Sequence, residues 1–505
     1  MIAARRLAWL ALALAAAWRV LRWSLGFPLF GDEAFLAASF TSGSTQALHG
    51  TLEYEMVAPL GFLYSVWLST RALGLGELAL RFAPVVASLA ALPLLARLCR
   101  VHLGRHEALL AIALFAASYY PLRHATELKP YSFDLYFSCA LLISGAALLR
   151  TQCTRTWIVF AVTSAIAVWC SYPAAFVAGG VVLTLAWTHV RAERSAHEGA
   201  LLAGAALLLV ASFLGMYVSA GQSQQWSAET IEGGQWAAAF PPDNWSAWPA
   251  WLWRQHTGRM FAYPNGGRSP GSLATTLLVI AGAVTLVRSR RGAFAGMLLA
   301  SLPLMLIAAA LGKYPYGSTA RTCQHLAVPI CMLAGVGLAG ILTRLPRRLG
   351  PRVARGLALL LIASVIFGAA SDLREPFKHP SDQVCREACE WLGEVSAEED
   401  TWVVFGALRD EPGIPDLTTW GGSTARLRYY LEREAPAGIL WGQQPGPDGA
   451  VWVVAYRDNA APFPADDWEA FRGDLHPSLQ PARARTFTLS PSNGESLTFL
   501  EFRPE

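Results

Sequence analysis

Uncharged apolar stretches of about 20 residues recur along the first three quarters of this chain. A helix of that length is what crossing the hydrocarbon core of a bilayer requires. The runs centre on residues 7–27, 59–75, 82–99, 107–120, 131–149, 157–172, 174–190, 199–220, 271–287, 292–311, 321–343 and 356–371. Only 15% of the 505 residues are charged, against roughly 25% in soluble domains. The pattern predicts a mainly α, polytopic membrane helix bundle.

The basic residues sit in short loops between these runs: Arg5/Arg6, Arg100–Arg105, Arg150/Arg155, Arg191/Arg194, Arg288–Arg291 and Arg344–Arg355. Lys and Arg favour the cytoplasmic side, so the net charge of +4 reports topology, and no nucleic-acid partner is expected. All basic loops lie inside only if the run 59–75 does not cross. We read it as a helix in, or dipping into, the outer interface. About eleven spans remain, with the N-terminus cytoplasmic and the C-terminal part extracytoplasmic, in what we expect to be a bacterial inner membrane. The start, "MIAARRLAWLALALAAAW", reads as an uncleaved first span rather than a signal peptide. Arg19 and Arg22 would then snorkel from its outer half.

This topology places the loops 28–58, 119–130, 221–270 and 312–320 on one face, with everything after about Ser371. Residues 1–371 form the expected transmembrane domain and 372–505 a small extracytoplasmic α/β domain. In the latter, "TWVVFGA", "AVWVVAYRD" and "LTFLEF" read as strands and "SDQVCREACEWLGEV" as a helix capped by Ser381. Cys385 and Cys389, four apart on that helix, could form a disulfide. The other six cysteines read as small core residues.

The outer loops hold the residues suited to chemistry. "PLFGDEAFLAASF" puts Asp32 and Glu33 side by side where the first span ends. Acids there suit a helix N-terminus, but also a general base for a hydroxyl or a divalent-metal site. "PLRHATELKPYSFD" crowds Arg123, His124, Glu127 and Lys129 ahead of Tyr131, as a small ion-pair network. "GKYPYGSTARTCQHLAVP" carries Lys313, Arg321 and His325 around Tyr314 and Tyr316. Its cations suit a phosphate, while Tyr and Lys also suit plain interfacial anchoring. The loop 221–270 packs in Trp226, Trp236, Trp245, Trp248, Trp251 and Trp253. They form an aromatic belt or a surface for a sugar or prenyl chain. No nucleotide-binding loop, dinucleotide fingerprint or hydrolase motif occurs in a convincing context.

"FGDEAF", "APLGFLYSVWLSTRALGLGELALRFAP", "RHATELKPYSFD" and "KYPYGSTAR", in this order and on one side, resemble the GT-C superfamily of polyprenyl-phosphate-dependent membrane glycosyltransferases. The resemblance is to the bacterial proteins related to glycosyltransferase family 39 and the lipid A aminoarabinose transferases, over most of residues 1–345. It implies a sugar donor linked to a polyprenyl phosphate, a lipid, glycan or protein acceptor outside the cell, and transfer with inversion. It makes Asp32 the candidate base, with Glu33 its neighbour and Glu127 the acid of the second outer loop. Arg123, Lys129, Arg321, His325 and Lys313 are then candidates for the leaving phosphate. Tyr131, Tyr314, Tyr316, Trp245 and Trp248 are candidates for packing on substrate or lipid. No cofactor is implied, though a divalent ion on Asp32 and Glu33 stays open. The aminoarabinose transferases carry a lysine just before the segment matching "APLG". This chain reads "EYEMVAPLG" there, which leaves the source of its phosphate contacts open. A lipid or solute transporter would place charges near the bilayer midplane and show inverted repeats. A non-catalytic envelope assembly protein would tolerate loss of Asp32.

Overall fold

The computed structural model describes residues 2–192, 195–221, 224, 236–264, 270–346, 348–396, 400–407, 422–434, 439–441, 450–458, 479–490 and 495–504. Each of the eleven runs expected to span is helical. Eight segments are long and apolar enough to cross a membrane: Phe82–His102, Tyr131–Leu148, Ala174–Arg191, Ala196–Ala220, Gly271–Arg288, Gly292–Ala310, Gln324–Arg344 and Gly350–Arg374. Three fall short of that standard. Ile2–Ser24 carries Arg5, Arg6, Arg19 and Arg22. Thr154–Cys170 has 17 residues. Arg105–Ala116 has 12 and is extended by a second short helix, Tyr119–Arg123.

The connecting loops collect at two ends. At one, Arg291 pairs with Glu107 at 3.1 Å and donates to the carbonyl of His102, so two Arg-rich loops meet. At the other end, the loops after Ser24 and Arg123 and before Gln324 come together with the segment after Arg374, as described below. Leu60–Leu73 is a helix of 14 residues. At 1.5 Å per residue it is about 21 Å long, too short for a core about 30 Å thick, which agrees with an interfacial position. Gly61 lets it approach the end of Thr154–Cys170: a Cβ there would lie 2.9 Å from the carbonyl oxygen of Trp169. Helices Pro270–Arg288 and Ala327–Arg344 pack backbone to backbone. A Cβ on Gly282 would strike the Leu333 carbonyl, and one on Gly337 the Leu278 carbonyl. Small residues at such crossings are how membrane helices gain packing where lipid offers no hydrophobic drive.

Arg19 and Arg22 do not snorkel. They are 0% and 2% exposed and turn into the bundle. Arg19 donates to Ser88 Oγ (2.8 Å) and to the carbonyls of Ala15 and Pro121. Arg22 donates to Thr126 Oγ1 (2.9 Å) and pairs with Asp372 at the end of the last span. Inside the bundle each guanidinium finds hydrogen-bond acceptors that a lipid-facing one would lack.

Beyond Arg374 lie the helix Pro380–Val395 and a five-stranded mixed sheet. Its strands are β1 (Thr401–Ala407), β2 (Ile439–Trp441), β3 (Val451–Asp458), β4 (Leu479–Ser490) and β5 (Glu495–Pro504). The order is β2-β1-β3-β5-β4, with β1 parallel to β2 and β3, and β5 antiparallel to β3 and β4. β1, β3 and β5 are the strands expected from sequence; β2, β4 and the helix Gly422–Glu434 were not anticipated. The cap of Pro380–Val395 is His379, whose N–H donates to Asp382 Oδ2 at 3.1 Å, rather than Ser381. Pro380 suits the first helical position because it has no N–H to leave free, so the helix begins two residues earlier than a Ser381 cap would give. Cys385 and Cys389 are buried free thiols.

This C-terminal part rests on the first loop. Arg433 and Arg386 pair with Glu77 at 3.0 and 3.5 Å, Arg428 pairs with Glu53 at 2.9 Å, and the Leu29 N–H donates to Tyr430 Oη at 2.8 Å.

Candidate active site

Four stretches distant in sequence meet at the loop end of the bundle. Asp32 stands in the first turn of the helix Gly31–Ala37, just after the first long helix. Glu127 and Lys129 lie in the turn that enters Tyr131–Leu148. Arg321 precedes the 3₁₀ turn Gln324–Leu326. Lys378 follows Gly350–Arg374.

Asp32 pairs with Arg321. Burial alone would lift its carboxyl, but Lys129, Arg321 and Lys378 outweigh burial and hold it below its ordinary value. Lys129 is 6% exposed. Burial, reinforced by Arg321 and opposed by Asp32, pushes its ammonium down to about 8. Glu127 accepts from His124 Nδ1 at 2.6 Å and pairs with Arg123 at 3.5 Å. Burial would raise this carboxyl; His124, Arg123 and Arg22 bring it down to about 2. The His124 ring lies parallel to Tyr120 at 5.8 Å and edge-on to Tyr131 at 5.0 Å. Four cations (Arg123, Lys129, Arg321 and Lys378) therefore face two carboxylates, Asp32 and Glu127, while Arg22 and Asp372 cancel each other. Such a surplus at one rim suits a dianion.

Glu33 is not part of this face, and the acid pair divides. Its side chain is 0% exposed. It receives Arg81 Nε at 2.9 Å, Arg81 Nη2 at 2.6 Å and the Leu128 N–H at 2.6 Å. Adjacent residues on a helix point about 100° apart, so one acid faces the rim and the other the core. Glu33 thereby ties the first loop to the second, and it is a structural anchor rather than a base. A metal shared by Asp32 and Glu33 would have to displace both Arg321 and Arg81. Among the described residues no group of three His, Cys, Asp or Glu is placed to hold a metal ion.

Two expected phosphate ligands, His325 and Lys313, lie elsewhere. His325 is 0% exposed, with Nε2 3.1 Å from Met305 Sδ and its ring near Phe176, so no anion reaches it. His325 lies in the 3₁₀ turn Gln324–Leu326, all three residues of which are buried. Lys313 is exposed and stands outside the ion-pair network. Of the packing candidates, Tyr131 borders His124. Tyr314 donates to the Thr322 carbonyl at 2.9 Å and lies against Phe176. Tyr316, 2% exposed, bonds His256 at 2.9 Å and touches Trp251. Trp245, 73% exposed, stacks at 4.4 Å on Trp248, whose Nε1 donates to the Pro242 carbonyl. Trp226 lies outside the described residues. Tyr316 thus joins two loops through His256 and Trp251, Trp248 closes on its own loop, and one face of Trp245 stays open. A separate cleft of about 450 Å³ opens between the first loop and the C-terminal part, lined by Ser39, Thr41, Ser42, Thr51, Glu53 and Arg428.

Sequence reasoning missed Lys378, Arg22 and Arg81. A lone lysine in "EPFKHP" has no motif around it. Arg22 reads as a snorkelling residue because helix phase alone does not reveal its neighbours. Arg81 lay within a recognised segment, but its partner is 48 residues away.

A family model described as dolichyl-phosphate-mannose-protein mannosyltransferase matches residues 57–216. A comparison with curated protein sequences returns no match. The chain is similar in structure to ArnT from Cupriavidus metallidurans, in the apo state (TM-score 0.53) and bound to undecaprenyl phosphate (TM-score 0.52), each at 12% identity and over 97% of both chains. It is also similar to the oligosaccharyltransferase AglB from Archaeoglobus fulgidus in complex with an inhibitory peptide and a dolichol-phosphate, with TM-score 0.50, 10% identity, and coverage of 98% of this chain and 74% of that one. The expected GT-C-like bundle with a small C-terminal α/β part is therefore the fold of this chain.

Proposed function

We propose that this protein is a membrane glycosyltransferase that moves a sugar from a polyprenyl-phosphate-linked donor to an acceptor hydroxyl on the extracytoplasmic side. The observation that carries this reading is the cluster at the rim: one carboxylate, Asp32, among cations that outnumber the acids. The fold neighbours, one bound to undecaprenyl phosphate and another to a dolichol-phosphate, support a lipid phosphate as the anion. The Arg-rich loops at the opposite end favour a cytoplasmic N-terminus and an inner-membrane location.

In this reading an acceptor oxygen attacks the anomeric carbon from the face opposite the phosphate. Asp32 takes the hydroxyl proton, the bond from carbon to phosphate oxygen breaks, and the polyprenyl phosphate leaves with the electron pair. Inversion follows from a single displacement. Arg321 and Lys129 stabilise the charge that builds on the leaving phosphate. Arg321 now lies on Asp32 and keeps its carboxyl acidic. A donor phosphate competes for the same guanidinium, and any share it takes makes Asp32 a better base. Glu127, with both oxygens engaged, holds Arg123 and His124 in position instead of accepting the proton. The bilayer holds the prenyl chain, so the base has to stand at headgroup height.

The test is sugar transfer by purified protein in nanodiscs with lipid-phosphate sugars. Asp32→Asn keeps size and hydrogen bonding but loses the basic site. Transfer should fall about 10²–10⁴-fold, the range for a general base, with donor binding nearly unchanged. Near-normal transfer by this variant would remove Asp32 from the mechanism.

A further inference from the structure

The segment joining the last span to the C-terminal part is held at both ends. Arg22 donates to the Pro376 carbonyl at 3.1 Å and pairs with Asp372. The His379 N–H is fixed by Asp382, which pairs in turn with buried Arg426. Between these anchors Lys378 Nζ sits 3.9 Å from the centre of the Phe30 ring. Phe30 is the residue from which the helix of Asp32 starts. The ammonium is therefore held beside the first turn of that helix, and its charge bears on Asp32, Arg321, Glu127 and Arg123.

We propose that Lys378 is a further binding residue for the donor's phosphate, supplied by the linker to the C-terminal part. This rests on the lipid-phosphate reading above. Three arguments carry it. Arg321 is shared with Asp32 and Arg123 with Tyr119 and Glu127, and Lys129 reaches the phosphate from a buried position, so the anion gains from a further, more exposed cation. Lys378 is exposed enough to meet a ligand arriving from the membrane surface. A ring face satisfies an ammonium only in part, since three N–H donors point in different directions. A lysine is a point charge on a flexible stem and can follow a phosphate oxygen. Arg386 joins the same linker's helix to the Gly26 carbonyl at 2.6 Å, so the lysine keeps its place only while that helix stays docked on the first loop.

The experiment is equilibrium binding of undecaprenyl phosphate to the full-length protein in nanodiscs, with undecaprenol and inorganic phosphate as comparators. Lys378→Gln removes the charge from an exposed position and should melt like the parent. It should bind the lipid phosphate about tenfold more weakly, the size of one partly solvated charged contact, and bind undecaprenol unchanged. Lys378→Arg should recover most of the loss, and Lys378→Met, uncharged and without an amide, should repeat it. Parental affinity in Lys378→Gln or Lys378→Met, in a protein that prefers the phosphate to the alcohol, would overturn the role of Lys378 and leave the donor reading standing. A parent protein without that preference would overturn the donor reading itself. Equally tight binding of inorganic phosphate would overturn the assignment to a lipid.

Discussion

Exchanging Glu33 for Gln separates anchoring from catalysis within one acid pair. Glu33 is fully buried and makes two bonds to Arg81 and one to the Leu128 N–H. Arg81 is itself 1% exposed and also donates to the carbonyls of Phe27 and Pro28. An amide of the same shape can still accept one or two of these bonds. It cannot balance the guanidinium, and its NH₂ would face Arg81. Removing one partner of a buried pair costs about 3–5 kcal/mol, because the other charge stays buried without compensation. Against a typical total of about 5–15 kcal/mol that is a large fraction. The melting temperature in detergent should drop by about 3–5 °C. Arg81→Met in the Glu33→Gln background should cost little more, since the orphaned charge is gone. Sugar transfer measured well below the new melting temperature should persist, reduced only as far as the two loops lose register. A Glu33→Gln protein that melts like the parent yet transfers no sugar would refute this reasoning and return Glu33 to the chemistry.

Other consequences follow from the same geometry. The Lys129 ammonium is pushed down to about 8, first by burial and then by Arg321; a lysine is charged below its pKa, so lipid-phosphate binding should be full near pH 7 and weaken as pH rises through about 8. A titration of binding from pH 6 to 10 checks this, and Lys129→Arg, which stays charged, should flatten the profile. Gly337→Val drives a side chain into the Leu278 carbonyl and should destabilise the bundle by about 1–3 kcal/mol or more, read as a lower yield of monodisperse protein and an earlier melt. Glu77 accepts from Arg433 and from Tyr430 Oη at 3.0 and 3.1 Å. Glu77→Gln should loosen the helix Gly422–Glu434 by about 2–3 kcal/mol, seen as faster amide exchange there with little change in the span helices.

The spans were legible because bilayer thickness imposes a length that sequence alone can meet, and every apolar run became a helix. The short helix Leu60–Leu73 was legible for the same reason, from its short run. Strands β1, β3 and β5 showed in their β-branched and aromatic content; β4, with its arginines and a proline, did not. Asp32, Arg123, Glu127, Lys129 and Arg321 were legible as polar residues at one rim. Their pairing was not, since Arg321 lies 289 residues from Asp32. Only tertiary structure decided that Asp32 faces the cations while Glu33 faces Arg81, because two adjacent acids look alike until their neighbours are known. It also turned Arg19 and Arg22 inward, buried His325 and brought Lys378 onto Phe30. Hydrophobicity is a property of each residue and accumulates along the chain, whereas the role of a charge depends on which opposite charge the fold sets beside it.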